Sequence, residues 1–232
     1  RRFARIDLGS GDVPDETTIC RFRHLIEENE LGAALFAQVA GYLEGKGLMV
    51  SEGTIVDATI IHAPSSTKNQ KSQRDPEMAS TKKGNQWYFG MKAHIGTDSK
   101  RGLAHTAVVT AANEHDSQVF EDLLHGQEAA IYGDKAYSDA KKAQAFEERG
   151  VRWRVAKRGS RAGPLGESEK KRNTHFNRVR AKVEHIFGVI KNLWGYRKVR
   201  YKGLRKNATQ VFTLLALANL YLVRKHPAML GT

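Results

Sequence analysis

A run of β-branched and apolar residues at 53–61, GTIVDATII, restricts the possible folds more than any other feature of this chain. Val, Ile and Thr favour a β-strand, and the low polarity of the run favours a strand inside a sheet. Asp57 nevertheless lies at its centre. Because a buried, unpaired carboxylate costs several kcal/mol, Asp57 requires either a basic partner in the chain or a bound cation.

The segments that follow this strand predict a mixed sheet flanked by helices. The runs 86–98 and 102–112 alternate or are apolar, and the DSKRG turn between them predicts a hairpin. Shorter runs at 129–137 and 151–156 predict two further strands, each next to a helical segment. Because strands joined through helices usually pair in parallel, we predict an α/β fold with a mixed five-stranded sheet.

Helices and long loops account for the rest of this region. Helical patterns are present at 115–124, 138–150, 174–194 and 207–225. Two polar, basic stretches, 62–85 and 157–173, predict loops.

Residues 1–50 predict a small helical N-terminal region, separate from a larger domain at 51–232. Pro14, Asp15 and Glu16 form a typical helix start, and a second helix is expected from about Leu31 to Glu44. The chain begins with Arg1 rather than methionine, and we expect this N-terminal region to be truncated.

The charge of the chain points to a polyanionic partner. Its 38 Lys and Arg residues exceed its 25 Asp and Glu residues, giving a formal net charge of +13. Nucleic acid is the leading candidate for such a partner, and the alternative is a solvated basic surface or a ribosome-like structural protein. Cys20 is the one cysteine, which excludes an internal disulfide and fits the cytoplasm. No apolar run reaches the roughly 20 residues of a membrane span.

Two further acidic residues have positions that suggest chemistry. Asp134 ends the strand in AAIYGD, where α/β folds place their sites, although a turn or helix cap would also explain it. Glu184 lies on the helix at 174–194 beside its apolar face. It shares one side of that helix with Asn177, Arg180, Gly188 and Lys191. An ordinary surface pair between Arg180 and Glu184 is the alternative.

Asp57, Asp134 and Glu184 together would form a metal site. Three clustered carboxylates repel one another, and divalent cations between them remove that cost. Oxygen ligands suit Mg²⁺ or Mn²⁺. Two such ions, about 4 Å apart, can activate a water or a 3′-hydroxyl for phosphodiester chemistry. The predicted cofactor is therefore two Mg²⁺ or Mn²⁺ ions.

These residues lie in motifs that resemble the DDE transposases of bacterial insertion sequences. VDAT around Asp57, YGDKAY around Asp134, and the spacing R-x3-E-x6-K from Arg180 to Lys191 are similar to the insertion-sequence-five group of the insertion-sequence-four superfamily. PDETTICRFRHLIE, YFGMKAHIGTD, TAANEHDS and TLLALANLYLVR extend the resemblance over nearly the whole chain. Asn177 departs from the family pattern, which usually has tyrosine at that position.

The resemblance implies an RNase H-like domain with the acids on its first strand, fourth strand and late helix. It implies that Asp57, Asp134 and Glu184 are the catalytic and metal-binding residues, and that Arg180 and Lys191 contact DNA phosphates or support the site. The implied partners are the DNA of the element ends and of the target, held by a homodimer or a larger synaptic assembly. The implied location is the bacterial cytoplasm, at the nucleoid.

Other residues are candidate DNA contacts by their position alone. Lys92 and His94 alternate along one strand and face one side, which is either a phosphate contact or a solvated face. Lys135 and Tyr137 follow Asp134 closely and could position DNA. Asp116, in NEHDS, is predicted to cap a helix rather than to join the acids.

The predicted function is therefore a DNA transposase that cleaves and transfers DNA strands with divalent metal ions. Two alternatives stay open at this point. One is an RNase H-like nuclease that does not transpose. The other is a non-catalytic DNA-binding protein derived from a transposase, against which the presence of three acids argues.

Overall fold

A mixed sheet of six strands lies at the centre of the computed structural model, which describes residues 13–50, 52–159 and 163–230. The strands are β1 (Thr54–His62), β2 (Ala79–Lys83), β3 (Gln86–Asp98), β4 (Ala104–Ala111), β5 (Ala130–Gly133) and β6 (Arg152–Val155). The helices are α1 (Glu16–Glu28), α2 (Leu31–Gly45), α3 (Ala140–Glu148), α4 (Glu167–Arg180), α5 (Val183–Gly188), α6 (Leu204–Val223) and α7 (Pro227–Leu230).

The strand order gives β1 a central position. β1 pairs antiparallel with β3 on one side and parallel with β5 on the other, and β6 pairs parallel with β5. The far edge of β3 is shared, because β2 pairs with its first part and β4 with its later part. This is the mixed α/β arrangement that was expected, with helices flanking the sheet.

The prediction of five strands was wrong by one, because β2 lies inside the segment predicted as the loop 62–85. Lys83 pairs with Gln86, so Gly84 and Asn85 form a two-residue hairpin turn between β2 and β3. Gly84 has a φ of +62°, which glycine adopts at little cost. A Gly-Asn pair between two strands is a hairpin signal, and it identifies β2 where the polar composition of ASTKK does not.

The long predicted helix at 174–194 is divided in the structure. α4 begins earlier, at Glu167, which shortens the predicted loop at 157–173. After a turn at 181–182, α5 is followed by a π-helical turn over Val189–Leu193. The predicted helix at 115–124 was also wrong, since only Glu121–Leu123 forms a short 3-10 turn there.

Both faces of the sheet are covered, as the apolar character of β1 requires. Successive residues of a strand point to opposite faces, and Ile55 and Val56 are both fully buried. Ile55 belongs to the core cluster formed with α5 and α6, which includes Ile186 and Leu215. Val56 belongs to the cluster on the opposite face, which includes Phe120, Leu123 and Phe146.

α2 packs closely against α6 and shares its core. A Cβ atom on Gly32 would lie 3.0 Å from the Cα of Thr209, so the close approach leaves little space for a side chain at this position. The rings of Phe36 and Phe212 have centroids 6.1 Å apart. The division into a region at 1–50 and a domain at 51–232 stays a prediction.

α6 contributes apolar residues such as Val211 and Leu215 to the core, yet it also carries a buried amide at Asn219. The side chain of Asn219 donates to the carbonyl of Ala104 at 2.7 Å and accepts from the amide of Ala104 at 2.9 Å. Asn219 therefore fixes the start of β4, an edge strand, to the helix. Within the described part of the chain, none of the helices has the length and apolarity that crossing a bilayer demands.

We expect Asn219→Ala to destabilise the protein by about 2–5 kcal/mol, because two buried backbone groups of Ala104 lose their partner. Denaturant unfolding monitored by circular dichroism measures this change. Leu217→Ala is the matched control on the same helix, since Leu217 is 50% exposed. Equal stability of the two variants would contradict a structural role for the Asn219 bonds.

Candidate active site

The sheet places Asp57 and Asp134 on neighbouring strands. β1 and β5 run parallel with Thr54 opposite Ile131 and Ile55 opposite Tyr132. Two residues further along the same register, Asp57 comes opposite Asp134, just beyond the end of β5. Because paired strands lie about 4.8 Å apart, the two carboxylates project from adjacent backbone positions.

Asp134 is held by the turn that it starts. Its Oδ1 accepts a hydrogen bond from the amide of Ala136 at 2.7 Å and caps the short 3-10 turn Lys135–Tyr137. Gly133 precedes it where space is limited, since a Cβ there would lie 3.2 Å from the Val56 side chain. Asp134 is thus a cap, and it also faces the cleft described below.

Asp57 has a basic partner in the chain. Arg180, the last residue of α4, donates from Nη2 to Asp57 Oδ2 at 3.3 Å. The other oxygen of Asp57 accepts from the amide of Ala58 at 2.8 Å. Both side chains are largely buried, at 16% exposure for Asp57 and 23% for Arg180. This ion pair explains how the chain accommodates a carboxylate in the middle of β1.

The ion pair does not fully compensate the charge of Asp57. Burial raises the pKa of Asp57 above its ordinary value, and the nearby charge of Asp134 raises it further. Arg180 and the amide of Ala58 act in the opposite direction without reversing the shift. Burial, together with Asp134, therefore outweighs the stabilisation that Arg180 and Ala58 give to the ionised form of Asp57.

The three acids predicted from the sequence line one cleft, with a volume of about 680 Å³. Glu184 contributes from α5, where it is exposed to solvent. The charged residues around the cleft are Asp57, Asp116, Asp134, Glu184, Lys82, Lys83, Lys92, Arg180, Lys191 and Arg197. Acidic and basic groups thus share one concave surface.

The arrangement fits a divalent cation through two of its acids. In the ranges 13–50, 52–159 and 163–230, no three His, Cys, Asp or Glu side chains lie close enough to form a complete ligand set. Mg²⁺, however, commonly takes one or two protein carboxylates, and waters or substrate phosphates supply the rest. Adjacent Asp57 and Asp134, with incompletely balanced charge, offer that donor set.

Four residues of the predicted helical stripe also reach the cleft, although the helix is irregular. Arg180, Glu184, Gly188 and Lys191 all line it. Asn177 accepts from Arg180 at 3.4 Å and so supports that side chain. A Cβ on Gly188 would meet nothing within 4 Å, which means that the glycine is not required by any contact with the described chain.

Asp116 was predicted as a helix cap, and the structure contradicts this. Its Oδ1 forms an ion pair with Lys92 Nζ at 2.8 Å, and both residues line the cleft. His94 Nδ1 lies 3.7 Å from the same oxygen. Lys92 lies 24 positions before Asp116 in the chain. A pattern of nearby residues in the sequence therefore does not reveal this ion pair.

Two predicted DNA contacts are wrong because their side chains are buried. His94 has 0% exposure and bonds Thr110 Oγ1 at 2.9 Å, and burial lowers its pKa to about 4. Tyr137 is 2% exposed within the core, where burial raises its pKa. Neither reaches a phosphate at the surface.

The other predicted DNA contacts remain accessible. Lys135 is exposed beside Asp134. Lys92 reaches the cleft while paired with Asp116. Lys191 lies in the π-helical turn and donates to Thr59 Oγ1 and to the carbonyl of Ile60, both at 3.0 Å.

Comparison with known proteins identifies the family of this chain. The family described as transposase DDE domain matches residues 49–220. The chain is also similar, at 10% identity and a TM-score of 0.49, to a chain of the piggyBac transposase synaptic complex with hairpin DNA. That similarity covers 88% of this chain and 54% of the other, so the chain spans about half the length of that transposase. Because the family model matches most of its length, the chain belongs to the transposase DDE domain family.

Proposed function

We propose that this protein is a DNA transposase that cleaves and transfers the strands of an insertion sequence. The observation that carries the proposal is the shared cleft of Asp57, Asp134 and Glu184, in a chain of the transposase DDE family. Within that family we assign it to the insertion-sequence-five group, on the motifs around these three acids.

The proposed cofactor is a pair of Mg²⁺ or Mn²⁺ ions. Asp57 and Asp134 would hold the first site together, and Glu184 would complete the second. Bound there, the ions supply activation of a water or 3′-hydroxyl and stabilisation of the leaving oxygen. No covalent link between protein and DNA is needed for this chemistry.

The chain itself supplies positioning and charge. Arg180 holds Asp57 in place and, at 23% exposure, can also approach a phosphate in the cleft. Lys191 is fixed on β1 through Thr59 and Ile60, with its ammonium group at the same wall. Lys135 and Lys92 are proposed as further DNA contacts. These cations offset the repulsion that the acids exert on the DNA backbone.

The proposed partners are the DNA of the element ends and of the target. A net charge of +13 favours such a polyanion. Bringing two ends together requires more than one active site, and we propose a homodimer or a larger synaptic assembly. The proposed setting is the bacterial nucleoid, and the proposed division separates a helical region at 1–50 from the catalytic domain at 51–232.

We expect Asp57→Ala, Asp134→Ala and Glu184→Ala each to reduce DNA cleavage by about 10³-fold or more, because each removes a ligand worth several kcal/mol in the transition state. Cleavage of labelled DNA with Mn²⁺ measures the activity, and gel retardation measures binding. We expect binding to survive in all three variants.

Asp122→Ala and Glu28→Ala are the matched controls, since both residues are exposed and lie outside the cleft. They should cleave at the rate of the unmodified protein. Full activity in any one of the three cleft variants would remove that residue from the proposed catalytic set.

Two other functions predict different results in the same assays. A nuclease that does not transpose would cleave DNA but would not join a 3′-hydroxyl donor end to a target duplex. A DNA-binding protein without catalysis would bind DNA and leave it intact at every Mn²⁺ concentration. A strand-transfer assay with a pre-cleaved donor therefore separates the three.

We further expect Asp57→Asn to stabilise the protein at pH 7 without divalent metal. The pKa of Asp57 is raised in the folded state, so its ionised form is disfavoured by folding. The advantage of the variant should therefore grow as the pH rises above about 4, where the unfolded carboxyl ionises, and vanish below it. Thermal unfolding at several pH values measures this.

Mg²⁺ should make the unmodified protein more stable than the Asp57→Asn variant, which reverses their order of stability without metal. At Mg²⁺ concentrations about 100 times Kd, binding adds about 2.7 kcal/mol to the unmodified protein. Asp57→Asn should gain much less, and Asp122→Asn should gain as much as the unmodified protein. Equal stabilisation of all three by Mg²⁺ would contradict metal binding at Asp57.

A further inference from the structure

The two ends of the cleft differ in charge, and β1 runs from one end to the other. Asp57 marks the acidic end, and His62 marks the other. His62 lies five positions after Asp57 on the strand, a distance of about 17 Å at about 3.3 Å per residue. The second end is therefore well outside the proposed catalytic centre.

The cations at the acidic end have carboxylate partners. Arg180 pairs with Asp57, and Lys92 pairs with Asp116. Their charges are largely balanced within the protein, so these two residues contribute little net attraction for an anion before the pairs rearrange.

The cations at the second end are not balanced in this way. Lys82, Lys83 and Arg197 line the cleft beyond Lys191, which is bonded to Thr59 and Ile60 between the two ends. Among the described residues, none of the four forms an ion pair with a carboxylate. Burial lowers the pKa of Lys191, and the neighbouring charges of Lys83 and Arg197 lower it further. Four positive charges on one concave surface repel one another, and this repulsion lowers the stability of the folded protein.

The fold keeps these charges together despite their repulsion. Lys82 and Lys83 lie on β2 and are fixed by its pairing with β3. Lys191 donates to the carbonyl of Ile60 on β1. Arg197 donates to the carbonyl of Lys191 at 3.0 Å, and its own carbonyl accepts from the amide of His62 at 3.0 Å. Three separate segments of chain therefore converge on this end.

We infer that this basic end binds backbone phosphates of the DNA strand that extends away from the cleavage point. This inference rests on the proposed function, and adds to it a separate subsite whose contacts come from the β2–β3 hairpin. The DNA backbone is the fitting ligand because it presents repeated negative charges along a line. At 3.4 Å of axial rise per nucleotide on one strand, 17 Å corresponds to about five nucleotides from the cleaved bond.

The test is the salt dependence of DNA binding by the double variant Lys82→Gln/Lys83→Gln. The probe is a fluorescein-labelled 30-base-pair duplex, and the readout is anisotropy without divalent metal across a range of NaCl concentrations. Each lost phosphate contact lowers the slope of log K against log salt by about 0.9, so two lost contacts lower it by about 1.8.

The matched control is Lys46→Gln/Lys141→Gln, which removes the same charge from exposed positions outside the cleft. Thermal unfolding of both double variants verifies that they are folded. A slope reduced only in the Lys82/Lys83 variant supports the subsite. Equal slopes in the two double variants, or no binding of the duplex by the unmodified protein, would overturn it.

The outcome is separable from that of the proposed function. Asp57→Ala should retain the full salt slope while losing cleavage, because Asp57 lies at the opposite end of the cleft. A reduced slope in the Lys82/Lys83 variant together with no cleavage by the unmodified protein would refute the transposase activity and leave the subsite standing. Cleavage by the unmodified protein, together with equal salt slopes in the two double variants, would support the transposase activity and refute the subsite.

Discussion

The position of Asp57 inside the central strand is the constraint on which the rest of the site depends. A carboxylate between two paired strands must be compensated, and the chain meets this requirement with Arg180 from the end of α4. The compensation is incomplete, because burial and Asp134 together keep the pKa of Asp57 raised. A carboxylate whose ionised form is only partly stabilised is unfavourable for folding alone, and a bound cation would stabilise it further.

The irregular helices after residue 166 serve the same geometry. α4 ends where Arg180 reaches Asp57, α5 presents Glu184 to the cleft, and the π-helical turn carries Lys191 to β1. Single π-helical turns are frequent at functional sites, where they redirect side chains that a regular helix would place elsewhere. The helix is thus irregular where three residues of this segment face one cleft.

Sequence patterns predicted what depends on local spacing and failed where distant contacts decide. The strand pattern around Asp57 and the apolar run before Asp134 predicted their strands, and helical spacing predicted that Arg180, Glu184 and Lys191 share a side. The sequence could not reveal the pairing of Asp116 with Lys92, because the two lie far apart in the chain. The burial of His94 and Tyr137 depends on packing from other elements, which no strand pattern contains. β2 was missed because its polar residues hide a hairpin that only the Gly84–Asn85 turn indicates.

We propose that neighbouring carboxylates on β1 and after β5 hold divalent metal in a cleft that also binds DNA. Anomalous diffraction from crystals soaked in Mn²⁺ tests it most directly. We expect a manganese peak bonded to oxygens of both Asp57 and Asp134, with the Arg180 guanidinium moved away from Asp57. A cleft without any manganese peak at saturating Mn²⁺, with Arg180 still bonded to Asp57, would contradict it.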